Sequence, residues 1–358
     1  MESKRKVLIV DDTATYRQIL TQVAENLPNI EVIGRAQNGR IALRKLEETP
    51  ADIVLLDVYM PELGGLETLK EIQKKYPQTQ VIMFSSEANE EAGVVMEALK
   101  SGALDFIPKP KLKTLAENLE FLTREVKRVL NLVDTKNKIA AKKTLTRPPF
   151  PLYETDQGDA DAPVKPPPPT TTKIGLVAIG VSTGGPNALA EVLPKVSGRI
   201  NCPVVLVQHM PPNFTKTLAD HLNRQSSLNI QEAKQGDILK PNNVYIAPGG
   251  YHMILNNKGG NYVLEMNQDP PVNSCRPAVD VLFKSIYENF KGAVLSIILT
   301  GMGEDGAEGV RLLKTKECRS IAQERQSCVV YGMPRAIINK GLADEVVGGV
   351  EVDEQLVE

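Results

Sequence analysis

Short apolar runs that end in glycine-rich turns are the feature of this sequence that most limits its fold. The clearest run, Ile174 to Ile179, continues into Gly180-Val181-Ser182-Thr183-Gly184-Gly185-Pro186. An apolar run of this length predicts a buried strand, and Pro186 is typical of the first turn of a helix. Glycines permit a close approach of the backbone, and the N–H groups at a helix start can stabilise an oxyanion. Ser182 is therefore a candidate nucleophile.

The Gly-x-Ser-x-Gly turn permits two other interpretations. It occurs in α/β-hydrolases, but there the histidine follows the acid in the chain. No histidine follows Asp305, the best acid candidate of this sequence. A dinucleotide-binding loop would place glycine where Ser182 stands and an acidic residue at a strand end about 20 residues further on. The sequence lacks both features, which leaves acyl transfer at Ser182 as the favoured chemistry.

A serine nucleophile needs a base, and the chain has three histidines: His209, His221 and His252. His209 follows a second apolar run, Pro203 to Gln208, and is predicted at the carboxyl end of a strand. Open α/β sheets bind their ligands outside those ends. His221 is predicted on the solvated face of a helix, Phe214 to Asn223. His252 is predicted in a loop, as the reserve base.

A third apolar run, Val294 to Leu299, leads into the glycine-rich turn Thr300 to Ala307, which contains Asp305. On position alone, Asp305 could either cap a helix or orient an imidazole. Three strand-end turns that carry Ser, His and Asp favour the second role. In that arrangement the base takes the serine proton, the acid holds the imidazole, and backbone N–H groups receive the oxyanion.

Five sequence blocks carry a resemblance to a known family: Gly180–Pro186, Gln208–Pro212, Cys275–Asp280, Thr300–Ala307 and Val330–Pro334. With them, residues 173 to about 350 resemble the catalytic domain of the chemotaxis protein-glutamate methylesterases, the CheB family. The resemblance implies Ser182 as nucleophile, His209 as base and Asp305 as orienting acid. It also implies backbone support of the oxyanion around Thr183 and Met302. Glu304 stands where the family commonly has Asn.

The first third of the chain has its own series of apolar runs, separated by segments of helical periodicity: Val7 to Val10, Ile53 to Leu56, Val81 to Phe84, and Phe106 to Ile107. This alternation predicts a doubly wound parallel sheet of the flavodoxin-like type. Polar residues follow the strands: Asp11, Asp12, Asp57, Ser85 and Lys109. Converging carboxylates repel one another unless a hard cation such as Mg²⁺ binds them. The carboxylate of Asp57 could then attack a phosphoryl group whose charge Mg²⁺ and Lys109 neutralise.

Together with Asp57-Val58-Tyr59-Met60-Pro61 and Gly65, these residues resemble a response-regulator receiver domain over about residues 5 to 130. The resemblance implies phosphorylation of Asp57 and phosphoryl contacts from Ser85 and Lys109. It implies a Mg²⁺ site made by Asp11, Asp12 and Asp57. Phe106 would be the aromatic residue that reports the phosphorylation state.

A change of composition separates the two halves. Lysines are frequent after residue 131, and Pro166 to Pro169 precede three threonines. Proline extends the backbone and blocks helix, which predicts a semi-rigid linker. We therefore expect a receiver domain over residues 1–130, a Lys/Pro-rich linker over 131–172, and a methylesterase domain over 173–355. The last of these is expected to be an α/β doubly wound domain with a mostly parallel sheet.

Charge and composition exclude several classes of function. The 42 basic residues nearly balance the 44 acidic ones, so net charge predicts no nucleic-acid partner. No apolar run approaches the ~20 residues of a membrane span, and the short basic start is no signal peptide. The four cysteines lack metal-site spacing, which favours free thiols in a reducing cytoplasm. We expect a cytoplasmic monomer without membrane insertion.

The two resemblances imply a phosphorylation-activated esterase. Its substrates would be glutamate γ-methyl esters on the cytoplasmic helices of chemoreceptors, with glutamine deamidation as a second activity. A chemotaxis-type histidine kinase would be the phosphodonor, and ester hydrolysis would need no cofactor. One alternative is a catalytically silent signalling scaffold that binds receptors. The other, a receiver joined to a DNA-binding output, would need a helix-turn-helix with a basic recognition face, whereas the second half alternates strands and glycine turns.

Overall fold

The computed structural model describes residues 4–86, 89–110, 114–143, 173–196 and 200–348. The chain divides into two units, Met1–Thr144 and Leu145–Glu358. Within the described ranges, no helix has both the length and the apolar character needed to cross a membrane.

Strands and helices alternate throughout the N-terminal unit. They are β1 (Arg5–Val10), α1 (Ala14–Glu25), β2 (Ile30–Ala36), α2 (Gly39–Glu48), β3 (Ile53–Asp57), α3 (Gly65–Lys75), β4 (Gln80–Ser85), α4 (Asn89–Lys100), β5 (Asp105–Pro108) and α5 (Leu115–Lys143). The strands pair in the order β2-β1-β3-β4-β5, all parallel. Every residue of the central strand β3 is buried, as expected when both faces of a parallel sheet are covered. The predicted flavodoxin-like fold is confirmed.

The last helix of this unit crosses the boundary at which the linker was predicted to begin. The linker was predicted from residue 131, but α5 continues to Lys143. Residues 131–143 contain neither proline nor glycine, and Ala140 and Ala141 favour helix, so nothing in this segment stops the helix. The remainder of the predicted linker, 144–172, lies outside the described residues.

The C-terminal unit is built around a larger parallel sheet. Its elements are β6 (Ile174–Val181), α6 (Gly185–Val192), β7 (Val204–Gln208), α7 (Phe214–Asn223), β8 (Asn229–Glu232), β9 (Asn243–Ile246), β10 (His252–Lys258), β11 (Asn261–Asn267), α8 (Val279–Asn289), β12 (Ala293–Ile298), α9 (Ala307–Leu313), β13 (Cys318–Gln323), α10 (Met333–Asn339) and β14 (Glu345–Val347). Seven strands pair in the order β14-β13-β12-β6-β7-β9-β8, and β10 and β11 form a separate antiparallel hairpin. The predicted mostly parallel α/β fold is confirmed.

The core of this unit fixes the position of α8. Leu282 and Phe283 of α8 are fully buried, as are Leu255 and Leu264 of the hairpin. Helix α9 approaches α8 closely, because a Cβ atom at Gly309 would lie 2.4 Å from the Cβ of Phe283. The tight contact places the N-termini of the two helices side by side, next to the loops that follow β6, β7 and β12.

Candidate functional site

Three carboxylates meet at the carboxyl end of the N-terminal sheet. Asp11 and Asp12 follow β1, and Asp57 ends β3; one oxygen of each lies within 4.8 Å of the other two. Asp11 and Asp57 are buried, whereas Asp12 is exposed. Backbone N–H groups of Thr13 and Val58 donate to Asp11 and Asp57, each at 2.8 Å. The structure therefore brings together all three predicted metal ligands, and their oxygen-only donor set suits a hard cation.

Lys109 closes this acidic pocket from the end of β5. Its Nζ lies 2.7 Å from Asp57 Oδ1 and 3.0 Å from Asp11 Oδ2, and the side chain is 13% exposed. Burial raises the pKa of Asp57 to about 7, with a further increase from Asp11, although Lys109 opposes both effects. Burial alone would lower the pKa of Lys109, but its contacts with Asp57 and Asp11 raise it. The single ammonium of Lys109 cannot balance the negative charge of the three carboxylates, which favours the binding of an additional cation.

Ser85, the predicted phosphoryl contact at the end of β4, is buried and already has a partner. Its Oγ lies 3.0 Å from Oε2 of Glu91 in the first turn of α4. The amide of Ser86 also donates to Glu91 Oε2, at 2.5 Å. Glu91 was not predicted as a site residue. Phe106, the predicted reporter aromatic, is buried in β5.

The predicted esterase residues follow three adjacent strands of the second sheet, β12, β6 and β7. Val181 and Gln208 are paired in register, so Ser182 and His209 occupy the next positions on neighbouring strands. The amide of His209 donates to the carbonyl of Val181 at 3.2 Å, and Gln208 Nε2 donates to the carbonyl of Ser182 at 2.9 Å. Parallel strands lie ~4.8 Å apart, so these contacts fix Ser182 and His209 as neighbours.

Asp305, in the loop after β12, contacts the predicted base directly. His209 Nε2 lies 2.7 Å from Asp305 Oδ2, and both side chains are largely buried. Burial alone would lower the pKa of His209, but hydrogen bonding to Asp305 and to Cys275 raises it. Burial alone would raise the pKa of Asp305, but His209 and backbone N–H donors hold it below its ordinary value. The pair therefore favours imidazolium and carboxylate.

Asp305 also caps a helix that is distant in sequence. Helix α8 starts after Ala278, which has no side-chain oxygen for capping. The carboxylate of Asp305 instead accepts from the amides of Val279, at 2.7 Å, and Asp280, at 3.1 Å. Asp305 thus combines the two roles that its sequence position permitted: it caps a helix and it contacts His209. The positive end of α8 also explains how a buried carboxylate stays ionised.

The predicted oxyanion donor, the amide of Met302, lies in a peptide with a fixed orientation. The carbonyl of Gly301 accepts from the amides of Gly332, at 3.0 Å, and Met333, at 2.9 Å. In a trans peptide the next N–H points the opposite way, so the Met302 N–H faces away from these donors. A Cβ atom at Gly301 would lie 2.8 Å from Ser182 Cβ. This peptide therefore packs directly against the nucleophile.

Thr183, the other predicted oxyanion residue, is buried directly after Ser182 in the chain. Its carbonyl accepts from the hydroxyl of Thr300 at 2.9 Å, and the amide of Ser182 donates to the carbonyl of Thr300 at 3.0 Å. The backbone at 182–183 is thereby tied to the end of β12, which limits movement of the nucleophile turn.

The other two histidines have partners other than Asp305. His252 was predicted in a loop, but it is the first residue of β10, is 1% exposed, and contacts the carbonyl of Pro270 at 3.2 Å. Gly250, at φ 81°, permits the tight turn that precedes β10. His221 lies in α7, as predicted, but it is half-buried beside Gln225 instead of solvated. Of the three histidines, His209 is the one whose contact with Asp305 favours it as the base for Ser182.

Two further side chains at this site, Asn273 and Asp280, were not predicted as site residues. The amide of Asn273 donates to Asp305 Oδ1 and to Asp280 Oδ2, each at 2.9 Å. The sequence places Asp280 in one of the five family blocks, but no local pattern indicates its contact with Asp305. Glu304, the departure from the family pattern, points outward to an ion pair with Lys340 at 2.7 Å.

Each of the two units matches a known protein family. Residues 177–356 match the family model described as CheB methylesterase, and residues 7–120 match the response regulator receiver domain. A protein-glutamate methylesterase/protein-glutamine glutaminase of Desulfotalea psychrophila is 38% identical over 359 residues, covering 98% of this chain and 97% of the relative. A protein of the same name from Thermotoga maritima is 37% identical over 360 residues, covering 99% and 98% of the two chains.

A solved structure supports the same relation. The crystal structure of the Thermotoga maritima CheB methylesterase catalytic domain is 39% identical, with a TM-score of 0.50, and covers 52% of this chain and 98% of that one. A family model that spans the C-terminal unit, with relatives similar along the whole chain, establishes the relationship. This chain is therefore a member of the CheB methylesterase family, in the form in which a response regulator receiver domain precedes the methylesterase domain.

Proposed function

We propose that this protein hydrolyses glutamate γ-methyl esters on chemoreceptors and deamidates selected glutamines, and that phosphorylation of Asp57 activates both reactions. The observation that carries the proposal is the contact of 2.7 Å between His209 and Asp305 at the strand ends beside Ser182. The names of the relatives, protein-glutamate methylesterase/protein-glutamine glutaminase, support the same two reactions. A histidine kinase of the chemotaxis type is the proposed phosphodonor.

The geometry at His209 supports a specific proton path. Because Nε2 lies 2.7 Å from Asp305 Oδ2, we infer that Nδ1 is the nitrogen that accepts the proton of Ser182 Oγ. The serine oxygen then attacks the ester carbonyl, and the Met302 amide stabilises the resulting oxyanion, with support from the backbone at Thr183. Collapse expels methoxide, which takes the proton from His209 and leaves as methanol. Asp305 keeps the imidazole oriented throughout.

Water completes the reaction by the same path in reverse. His209 takes a proton from water, hydroxide attacks the acyl-serine, and Ser182 leaves with that proton restored, which yields a glutamate side chain. A glutamine side chain would follow the same sequence with ammonia as the first leaving group. Water supplies both the hydroxide that attacks the acyl-serine and the proton that returns to Ser182, so neither reaction needs a cofactor.

The receiver pocket supports phosphoryl transfer to Asp57. Asp11, Asp12 and Asp57 would hold Mg²⁺, which when bound supplies positive charge to the phosphoryl oxygens. The carboxylate of Asp57 attacks phosphorus in line with the leaving group, and Lys109 neutralises the charge that develops. Ser85 would contact the phosphoryl group, which requires its hydroxyl to leave Glu91.

Receptor membranes with methyl-labelled glutamates provide the test of this function. Incubation with the protein should release labelled methanol, and mass spectrometry of the receptor peptides should find glutamine residues converted to glutamate, a gain of about one mass unit per site. A catalytically silent scaffold would bind the membranes without either product. That outcome would contradict the proposal and favour the alternative.

The rate should rise with pH through and above neutrality. The base must be neutral to accept a proton, and contact with Asp305 and Cys275 raises the pKa of His209 above its ordinary 6.5. The acidic limb of the kcat/KM profile should therefore have an apparent pKa above 6.5. Asp305→Asn should lower both this apparent pKa and the rate. Initial rates between about pH 6 and pH 10 provide the measurement. An apparent pKa at or below 6.5 for the acidic limb of the wild type would show that Asp305 does not stabilise the imidazolium.

The same shift predicts a dependence of stability on pH. A histidine whose folded pKa is raised contributes stability that is fully present below its unfolded pKa and is lost as pH rises through its folded pKa. The His209–Asp305 contact should therefore stabilise the unit most at acidic to neutral pH.

A further inference from the structure

Two helix N-termini exchange carboxylate caps beside the triad. Asp305 caps α8 through the amides of Val279 and Asp280. In return, Asp280, in the first turn of α8, accepts from the amides of Gly306, at 3.0 Å, and Gly309, at 2.7 Å, at the start of α9. The exchange brings two buried or half-buried carboxylates into one small space. Their mutual repulsion must be offset for both to remain in place.

Two donors join these carboxylates: the backbone amide of Gly306, at 3.0 Å from Asp280 Oδ1 and 3.1 Å from Asp305 Oδ1, and the side-chain amide of Asn273. Its Nδ2 lies 2.9 Å from Asp305 Oδ1 and 2.9 Å from Asp280 Oδ2, so each of its two protons reaches a different acid. The Oδ1 contact leaves Asp305 Oδ2 to face His209 Nε2. Asn273 and His209 therefore contact different oxygens of the Asp305 carboxylate, and Asn273 is the side chain that links this carboxylate to Asp280.

The backbone at Asn273 is shaped for this contact. Asn273 and Ser274 both adopt left-handed conformations, with φ of 52° and 63°. Val272 and Cys275 close the turn with reciprocal backbone hydrogen bonds of 3.1 and 2.9 Å. Non-glycine residues in this region cost energy and persist where the surroundings enforce them, often at active sites. Asparagine tolerates this conformation better than most residues and adds two side-chain protons.

We propose that Asn273 is a positioning residue of the triad, which bridges Asp280 and Asp305 and thereby keeps Asp305 aimed at His209. The titratable groups facing the bridge are Asp280, Asp305, His209 and, next to the imidazole, Cys275. The inference rests on the hydrolytic function proposed above for the same site. Burial and the charge of Asp305 raise the pKa of Asp280 to about 6, which agrees with two acids in close contact.

Two substitutions separate the amide from the backbone. Asn273→Gly and Asn273→Asp both permit a left-handed residue, but glycine removes the side chain and aspartate replaces the donor with an acceptor. If Asn273 positions Asp305, both variants should lose about tenfold or more in kcat with little change in KM, and aspartate should be the more damaging at neutral pH. The matched control is Asn242→Gly, at φ 64° before β9, at the opposite end of the sheet.

An NMR signal provides a readout independent of catalysis. The Nε2 proton of His209 should be shifted far downfield by its short hydrogen bond to Asp305, and with three histidines in the chain His209→Gln suffices to assign it. We expect this signal in the wild type and in Asn242→Gly, and its shift or loss in both Asn273 variants, with circular dichroism unchanged.

The kcat values and the His209 signal together separate a positioning role of Asn273 from a role in the fold. Variants with wild-type kcat and an unchanged His209 signal would overturn the positioning role, as would unfolding of both variants, which would assign Asn273 to the fold. A wild type without hydrolytic activity but with the predicted changes in the His209 signal would contradict the proposed function while retaining the Asn273 bridge.

Discussion

Replacing Ser182 with alanine should abolish methanol release and leave the fold intact. Ser182 is expected to form the covalent bond to the substrate, and the members of a triad act as a unit, so loss of one costs about 10³-fold or more in kcat. The loss of one hydroxyl from a half-buried turn should have little effect on unfolding. The release of labelled methanol from methylated receptor membranes gives the rate, and thermal unfolding followed by circular dichroism gives the stability.

The matched control for this substitution is Ser227→Ala. Ser227 is exposed, precedes β8 at the amino ends of the strands, and donates only to the carbonyl of Val196, at 3.2 Å. It should retain wild-type turnover. A Ser182→Ala protein with near wild-type turnover would remove Ser182 as the nucleophile and with it the proton path through His209.

Replacing Asp57 with asparagine should block phosphorylation of the receiver. The reaction needs a carboxylate oxygen as nucleophile, and an amide in the same place can neither attack phosphorus nor hold Mg²⁺ with equal strength. Incubation with a small acyl phosphate and Mg²⁺ should add one phosphoryl group to the wild type and none to the variant. The mass of the intact protein and its retention of radiolabelled phosphate provide the measurements.

Asp52→Asn is a suitable control for the receiver. Asp52 lies at the amino end of β3, and its carboxylate accepts from the amide of Lys6, at 2.8 Å, an interaction that asparagine can preserve. It should be labelled like the wild type. Stoichiometric, acid-stable phosphate on Asp57→Asn would instead indicate a serine or threonine site, and labelling of the wild type without a divalent cation would argue against the proposed Mg²⁺ site.

The sequence predicted the sheets and the strand-end turns well because these features depend on local patterns. The run Ile174 to Ile179 is short and is followed by glycines, which favours a buried strand over a helix, and the same glycines limit where the next helix can start. Parallel strands place their carboxyl ends along one edge, so Asp11 and Asp57 were expected to meet before any distance was known. Family membership, also predicted from the residues, is confirmed by the comparisons.

Contacts between distant loops could not be predicted in this way. Asn273 reaches Asp305 across 32 residues of chain, and its left-handed backbone has no signal beyond the residue type itself. Glu91 meets Ser85 because α4 turns back over β4, which a single sequence does not specify. Helix α5 continues past residue 131, where the linker was predicted to begin, because the prolines that stop a helix come only after the lysine-rich segment.

The central claim is that phosphorylation of Asp57 controls ester hydrolysis at Ser182. It is tested most directly by the initial rate of methanol release from methylated receptor membranes, measured on the full chain with and without an acyl phosphate and Mg²⁺. We expect the phosphodonor to raise the rate of methanol release by the wild type and to leave the rate of Asp57→Asn unchanged. Ser182→Ala should release no methanol under either condition. Equal rates with and without phosphodonor, in a protein that mass spectrometry finds phosphorylated on Asp57, would contradict the central claim.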